Sequence, residues 1–244
     1  MEKYKKTYMV SSFQVDSNAR LRIHSLFNLF QDVADDHAEK IGVGYSFCRE
    51  HAVGWVGAAY HLMIKKWPLW NETIRIETWP SDSTAASAIR DFQVFDANEN
   101  VIINATSQWV LIDTERLRPI PMAKHLPHYD VNPDRAFQSD FSKIPTPEGS
   151  SDELVFPVHA DDIDINHHVN NALYPTWVLD GMDASFLQSH IPSEIKILFR
   201  RSARRQDQIC LKTYHRDSET ISLLTNGDKT TEFARIQINW QEIK

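Results

Sequence analysis

The spacing of apolar and polar positions changes several times along this chain, and each change marks an element. From about Tyr4 to Val15 the text contains Thr, Tyr, Val and Phe and reads as a strand. In RIHSLFNLFQDVADDHAEKIG, the residues Ile23, Leu26, Phe27, Phe30, Val33, Ala34 and Ile41 recur at steps of three and four, which predicts an amphipathic helix ending at Gly42. β-branched and aromatic runs follow: GWVGAAYHLMIKKW, ETIRIETWP, SAIRDFQVFDA and VIINATSQWVLID. They predict strands, with a tight hairpin turn at Ala97 to Asn100. One helix followed by long antiparallel strands is an α+β unit whose sheet wraps the helix.

Between Arg118 and Pro147 proline and turn residues dominate and no period persists. This stretch reads as an extended connector, with a short helix around Asp134 to Phe141 an equal alternative. The plan then repeats: a short strand at Phe156 to His159, a helix in NNALYPTWVLDGMDASFL, and strands at EIKILFRRSA, QICLKTYHR, TISLLTN and EFARIQINW. Pro175 lacks an N–H, so the second helix is expected to begin near Tyr174, with HHVNNAL as a structured loop leading into it. The repeat lies in element order, not in residue identity. The expected organisation is a first unit over residues 1–117, a linker over 118–150 and a second unit over 151–244.

The 244 residues carry 26 Lys and Arg against 33 Asp and Glu, a net charge of −7. Counterion release at a nucleic acid needs a basic face, so no nucleic-acid partner is expected. Two cysteines, Cys48 and Cys210, lie far apart and in no CxxC spacing. That disfavours a disulfide framework and a cysteine zinc site, and fits a reducing compartment. MEKYKKTYMVSSFQ has positive charge but no apolar run after it, and no segment approaches the roughly 20 apolar residues of a membrane helix. A cytoplasmic protein without a membrane span is expected. With 7 glycines and neither G-x-G-x-x-G nor a P-loop, phosphate cradles are unsupported and no cofactor is expected.

Polar groups concentrate in HADDIDINHHVNNALYPTWVLD, from His159 to Asp180. Read as an extended strand, the alternation puts Asp162, Asp164, Asn166 and His168 on one side and Ile163 and Ile165 on the other. A carboxylate, an amide and an imidazole then converge just before a helix amino terminus, whose unpaired N–H groups can stabilise an oxyanion. Each residue also has a plain structural role open to it. Asp164 can cap the following turn, Asn166 and Asn170 can satisfy loop carbonyls, and His168 can be a packing histidine. A metal site of His159, Asp164 and His168 suits imidazole and carboxylate chemistry but lacks HExxH spacing, and no metal is expected. No G-x-S-x-G elbow supports a serine hydrolase, and Cys210 within QICLKTY reads as a buried structural cysteine.

At Asp162-x-Asp164-x-Asn166-x-His168-Val169-Asn170-Asn171, followed by Tyr174-x-x-Trp177, the chain resembles the acyl-carrier-protein (ACP) thioesterases of plant plastid and bacterial type. Trp55-Val56, KKWPLWNETIRIETWP, RDFQVFD and SQWVLID resemble segments of that family in the same order, so the likeness runs from about Tyr4 to Asn239. The resemblance implies two tandem hotdog folds, each a long helix wrapped by an antiparallel β-sheet. It also implies hydrolysis of the thioester of fatty acyl-ACP, with release of free fatty acid. Carried over by position, the catalytic residues are Asp164, Asn166 and His168, with Asn170 and Ser202 supporting. An acyl tunnel along the first helix is implied as well, for which Phe27, Phe30, Val33 and Trp55 are candidates, each equally suited to ordinary core.

One departure matters. The family's further carboxylate, in an R-R-E-C stretch, falls on Ser202 in Phe199-Arg200-Arg201-Ser202-Ala203, and its cysteine falls on Ala203. A serine is no carboxylate base, which leaves Asp164 as sole base, Ser202 as a group that positions water, or a reduced activity. A cysteine nucleophile is excluded there. ACP is acidic and so is this chain, so docking needs a local basic patch. Arg200, Arg201, Arg204 and Arg205 offer one beside the motif, or form a solvated strand end. A non-catalytic acyl-binding hotdog protein and an acyl-CoA thioesterase are the alternatives. Two hotdogs in one chain fit a monomer or a homodimer.

Overall fold

The computed structural model describes residues 1–84, 86–139, 141 and 144–243. The chain divides into two compact units, Met1–Phe141 and Ser142–Lys244. The first opens with β1 (Tyr4–Met9), a 3₁₀ turn at Ser12–Gln14, and α1 (Ile23–Lys40). The three-and-four stripe of α1 faces inward: Leu26, Phe27, Phe30 and Val33 are buried, while Asp32 and Asp36 hold Lys6 of β1 at 2.7 and 2.8 Å.

A second helix, α2 (Tyr45–Glu50), follows at once, and periodicity does not announce it. Its start depends on Gly44, where a Cβ would lie 2.6 Å from the backbone N of Glu39. That close approach lets Glu39 Oε1 accept from Ser46 N at 2.8 Å in place of a capping residue.

β2 (Val53–Ile64), β3 (Thr73–Ser83), β4 (Ala88–Phe95), β5 (Val101–Asp113) and a two-residue β6 (Arg118–Pro119) complete the first sheet. It is antiparallel, in the order β1-β3-β4-β5-β2, with β6 on β5. Asp96 builds the β4–β5 turn: its Oδ1 accepts from the N–H groups of Asn98 and Asn100, each at 2.9 Å. α1 lies on this sheet, Phe30 stacking on Phe92 of β4 at 4.6 Å and Phe27 meeting Tyr60 of β2 at 5.1 Å. Each phenylalanine so buried contributes about 1.5–3 kcal/mol.

The start of the segment read as a connector belongs to this unit. After a turn of helix, α3 (Met122–His125), it crosses the sheet as a strap. Trp79 Nε1 of β3 donates to Asp134 O at 2.6 Å, and Arg135 Nε donates to Asp91 Oδ2 of β4 at 2.8 Å. Arg135 Nη2 donates to Thr106 Oγ1 of β5 at 3.2 Å, and Ser139 Oγ pairs with His61 Nδ1 of β2 at 2.9 Å. Asp91 is fully buried; its Oδ2 also accepts from Ala136 N at 2.9 Å, while Oδ1 has no partner among the described residues. The helix weighed for Asp134 to Phe141 is not formed over Asp134 to Ser139 or at Phe141; Asp140 lies outside the described residues.

The second unit contains β7 (Asp152–Pro157), a 3₁₀ turn at Ala160–Asp162, α4 (Leu173–Asp180), α5 (Ala184–Ser189), β8 (His190–Phe199), β9 (Gln208–Arg216), β10 (Glu219–Asn226) and β11 (Glu232–Glu242). Its sheet is antiparallel in the order β7-β9-β10-β11-β8, the order of the first sheet repeated. One helix was expected after Asn171 and two are present. The break falls at Gly181, whose Cβ would meet Leu211 Cδ2 at 2.9 Å, and at Asp183, whose Oδ1 caps α5 by accepting from Ser185 N at 2.8 Å. Pro175 sits in the first turn of α4, where its missing N–H costs nothing. No described helix is long and apolar enough to cross a membrane.

Candidate active site

Between β7 and α4 the chain makes a hairpin, not an extended strand. Ile163 bridges Val169, Asp164 N donates to His168 O at 2.8 Å, and His167 N donates to Asp164 O at 3.0 Å. His167 takes φ +61°, so a turn followed by one left-handed residue closes a three-residue loop. Asp164 starts that turn because its Oδ1 can accept from the backbone beyond it: it takes Asn166 N at 2.8 Å and His168 N at 3.4 Å.

The expectation of one extended face is therefore corrected. Asp162 belongs to the preceding 3₁₀ turn, its Oδ2 accepting from His159 N at 2.7 Å. Asn166 is exposed at the hairpin tip, and Ile165 beside it is 76% exposed instead of turning inward. What the hairpin does bring together is Asp164 and His168, both half-buried and directly across from each other. Residues so paired have Cβ atoms about 4.5–5.5 Å apart.

Asp164 is half committed. Its Oδ1 is held by backbone N–H groups, while Oδ2 has no hydrogen bond among the described residues. The side chains of His168 and Asn166 likewise have none there, so a carboxylate oxygen, an imidazole and an amide are open to a ligand. Asn170 is occupied: its Oδ1 accepts from Ala172 N at 2.9 Å, its N–H donates to Asp162 O at 2.9 Å, and its carbonyl accepts from Leu173 N at 3.0 Å. From Val169 to Leu173, the N–H of Asn171 alone is without a partner among the described residues.

The hairpin is tied to the connection after β8. Val169 N donates to Ala203 O at 3.0 Å, and Ala203 N donates to Tyr174 Oη at 2.9 Å. Tyr174 is buried, and burial together with the carboxylates of Asp207 and Asp164 pushes its phenol up to about 12, so it stays a neutral hydroxyl. Ser202, next to this bond, is exposed. No group of three or more His, Cys, Asp or Glu among the described residues could hold a metal ion.

Family models for the acyl-ACP thioesterase N-terminal domain and C-terminal domain match residues 1–128 and 146–242. The chain belongs to the acyl-ACP thioesterase family. It is 30% identical over 256 residues to oleoyl-acyl carrier protein thioesterase 2, chloroplastic, of Arabidopsis thaliana, covering 97% of this chain and 70% of that protein. It is 26% identical over 240 residues to a palmitoyl-acyl carrier protein thioesterase, chloroplastic, of Gossypium hirsutum, covering 92% of this chain and 58% of that one. The chain thus spans little more than half to 70% of the length of these relatives. An acyl-ACP thioesterase structure from Bacteroides thetaiotaomicron has the same fold, with a TM-score of 0.85 and 19% identity over 97% of both chains. So does a 12:0-ACP thioesterase from Umbellularia californica, with a TM-score of 0.85 and 23% identity over 99% of this chain and 98% of that one. The fold class is the expected one, α+β with two tandem hotdogs.

Within this acyl-ACP thioesterase family member, the four arginines differ in availability. Arg205 Nη1 donates to Val158 O at 2.6 Å and Arg200 Nε lies 4.0 Å from Glu232 Oε1, while Arg201 and Arg204 are exposed with unpaired side chains among the described residues. Of the tunnel candidates, Phe27, Phe30 and Val33 share the inner face of α1. Trp55 is elsewhere: its Nε1 donates to Val43 O at 3.0 Å and its ring packs with Cys48, Val53 and Leu111. Reading the sequence for chemistry missed Ala203 as a backbone anchor; its bond spans 29 residues to Tyr174, and only the Tyr-x-x-Trp spacing pointed to that position.

Proposed function

We propose that this protein hydrolyses the thioester of fatty acyl-ACP, releasing free fatty acid and ACP, and that the hairpin between β7 and α4 is where it does so. The observation that carries this reading is the divided Asp164 carboxylate: one oxygen anchored by its own loop, the other open, with His168 across from it. A carboxylate held this way is an oriented base with a single vacant direction, which suits a water molecule. Asp164 Oδ2 takes the water proton. His168 and Asn166 orient the thioester, and the N–H of Asn171 donates to the carbonyl oxygen as it gains charge. Asn170 acts only by starting α4, and Ser202 is no base, so Asp164 serves alone.

The first unit receives the acyl chain on the apolar face of α1, through Phe27, Phe30 and Val33. Arg201 and Arg204 are the docking contacts for acidic ACP, since Arg200 and Arg205 are partly engaged. Two unpaired cysteines fit a reducing, cytoplasmic setting. The test is release of free fatty acid from acyl-ACPs of several lengths, with acyl-CoA as control. Turnover on acyl-ACP with a KM that rises with ionic strength is expected. Absence of free fatty acid from every acyl-ACP refutes the reading.

A further inference from the structure

The candidate hairpin has a counterpart in the first unit. After β1 and the turn at Ser12–Gln14, Val15 bridges Leu21, Asp16 N donates to Arg20 O at 2.8 Å, and Ala19 N donates to Asp16 O at 3.0 Å. Ala19 takes φ +60°, as His167 takes +61°. Asp16 Oδ1 accepts from Asn18 N at 2.8 Å and Arg20 N at 2.9 Å. Bond for bond, Asp16 stands for Asp164, Asn18 for Asn166 and Arg20 for His168.

The surroundings repeat too. Leu21 N donates to Pro68 O at 2.8 Å, as Val169 N does to Ala203 O. Lys65 N and Lys66 N both bond Ile102 O, as Arg200 N and Arg201 N both bond Phe233 O. A dibasic pair therefore occupies the same place in each unit, with buried Trp67 where the second unit has Ser202. The acid, the amide and the two cations are kept. In place of the imidazole stands a guanidinium, as Trp67 stands in place of Ser202.

That exchange changes the chemistry. A guanidinium is permanently charged and has no acceptor, so it takes no part in proton transfer, but its N–H groups match a carboxylate. Arg20's makes no hydrogen bond or ion pair among the described residues. Two exposed apolar residues are bonded to the hairpin: Leu69, bridged to Arg20, is 41% exposed and Trp70, whose N–H bonds Ala19 O, 58%; Phe13, in the turn that precedes the hairpin, is 79% exposed. Of the nearby cations, Lys66 Nζ pairs with Glu72 Oε1 at 2.8 Å and Arg22 Nε donates to Val15 O at 2.8 Å, which leaves Arg20 and the exposed Lys65 without a side-chain partner among the described residues. An unpaired guanidinium among exposed aromatic and aliphatic groups matches an amphiphilic anion.

We propose that the Asp16–Arg20 hairpin, with Phe13, Leu69 and Trp70, is a second, non-hydrolytic site that binds a long-chain fatty carboxylate. The choice of an acyl ligand rests on the function proposed above; the preference for an anion rests on Arg20 itself. The experiment is calorimetric titration of the full chain with palmitate below its micelle concentration, using wild type, Arg20→Gln, Arg20→Lys and Asp164→Asn. Arg20→Gln is expected to weaken palmitate binding by about tenfold or more, with Arg20→Lys intermediate because charge remains and the paired N–H geometry is lost. Asp164→Asn is expected to leave this site intact, and hexadecanol not to bind there. Palmitate affinity unchanged in Arg20→Gln, or hexadecanol binding equally well, overturns the inference. Acyl-ACP turnover measured on the same samples separates the readings: Arg20-dependent palmitate binding without turnover sinks the hydrolase alone, and turnover with Arg20-independent binding sinks this site alone.

Discussion

Replacing Tyr174 by phenylalanine removes one oxygen and little else. The ring keeps its neighbours, Trp177 at 5.3 Å and Phe199 at 5.6 Å, but Ala203 N loses its acceptor at 2.9 Å. Ala203 is fully buried, so its N–H is left without the acceptor it had. An orphaned buried N–H costs about 1–3 kcal/mol. For a chain of this size that lowers Tm by about 2–12 °C. Activity is expected to suffer separately, because the carbonyl of the same residue holds Val169 N at 3.0 Å and so fixes the hairpin bearing Asp164 and His168. A misplacement of about 1 Å can cost about 10²-fold in rate, so a fall in kcat of about 10- to 100-fold with KM little changed is expected. Urea unfolding and steady-state hydrolysis of acyl-ACP measure the two effects. A stability loss under about 0.5 kcal/mol together with unchanged kcat refutes the argument that this hydroxyl anchors the loop.

Arg135→Met should leave the fully buried Asp91 carboxylate with Ala136 N as its one remaining donor among the described residues, costing about 3–5 kcal/mol, whereas adding Asp91→Leu should recover part of it; denaturant titration of both variants checks this. His37 is buried, stacked on Tyr4 at 5.3 Å with its Nδ1 3.2 Å from Arg90 Nη1, and burial, then the Arg90 charge, lowers its pKa to about 4. Its folded pKa lies below the unfolded value of about 6.5, so the unfolded chain takes the proton first. Stability is thus complete above about pH 6.5 and falls as pH drops toward 4, by on the order of 1–2 kcal/mol after solvent screening, and His37→Gln should flatten that limb of the pH–stability curve. Gly44→Ala should lower Tm measurably, since its Cβ meets Glu39 backbone at 2.6 Å; an unchanged Tm means that α2 starts elsewhere.

Elements with one strong period were readable from the chain. α1 was, because its buried residues recur at helical steps, and so were β2 to β5, whose β-branched and aromatic runs end at turn residues such as Asp96 and Asn100. α2 was not, because six residues hold too little periodicity and its start depends on a contact between Gly44 and Glu39. The strap reads as an extended connector because it has no internal period; what the chain did not disclose is its docking on the first unit, which comes from side chains of four strands remote in sequence. At the site, residue types were legible and geometry was not. Asp-x-Asn-x-His reads as a strand by alternation, yet Asp164 prefers its own backbone, and that local bond folds the segment into a hairpin.

The most direct test uses Asp164→Asn. The amide keeps an oxygen to accept from Asn166 N and His168 N, so the hairpin persists, while the open basic oxygen is replaced by an NH₂ group. Single-turnover hydrolysis of acyl-ACP is expected to slow by about 10²–10⁴-fold with the thermal midpoint unchanged. A variant that still turns over within about threefold of wild type contradicts the assignment of Asp164 as the base.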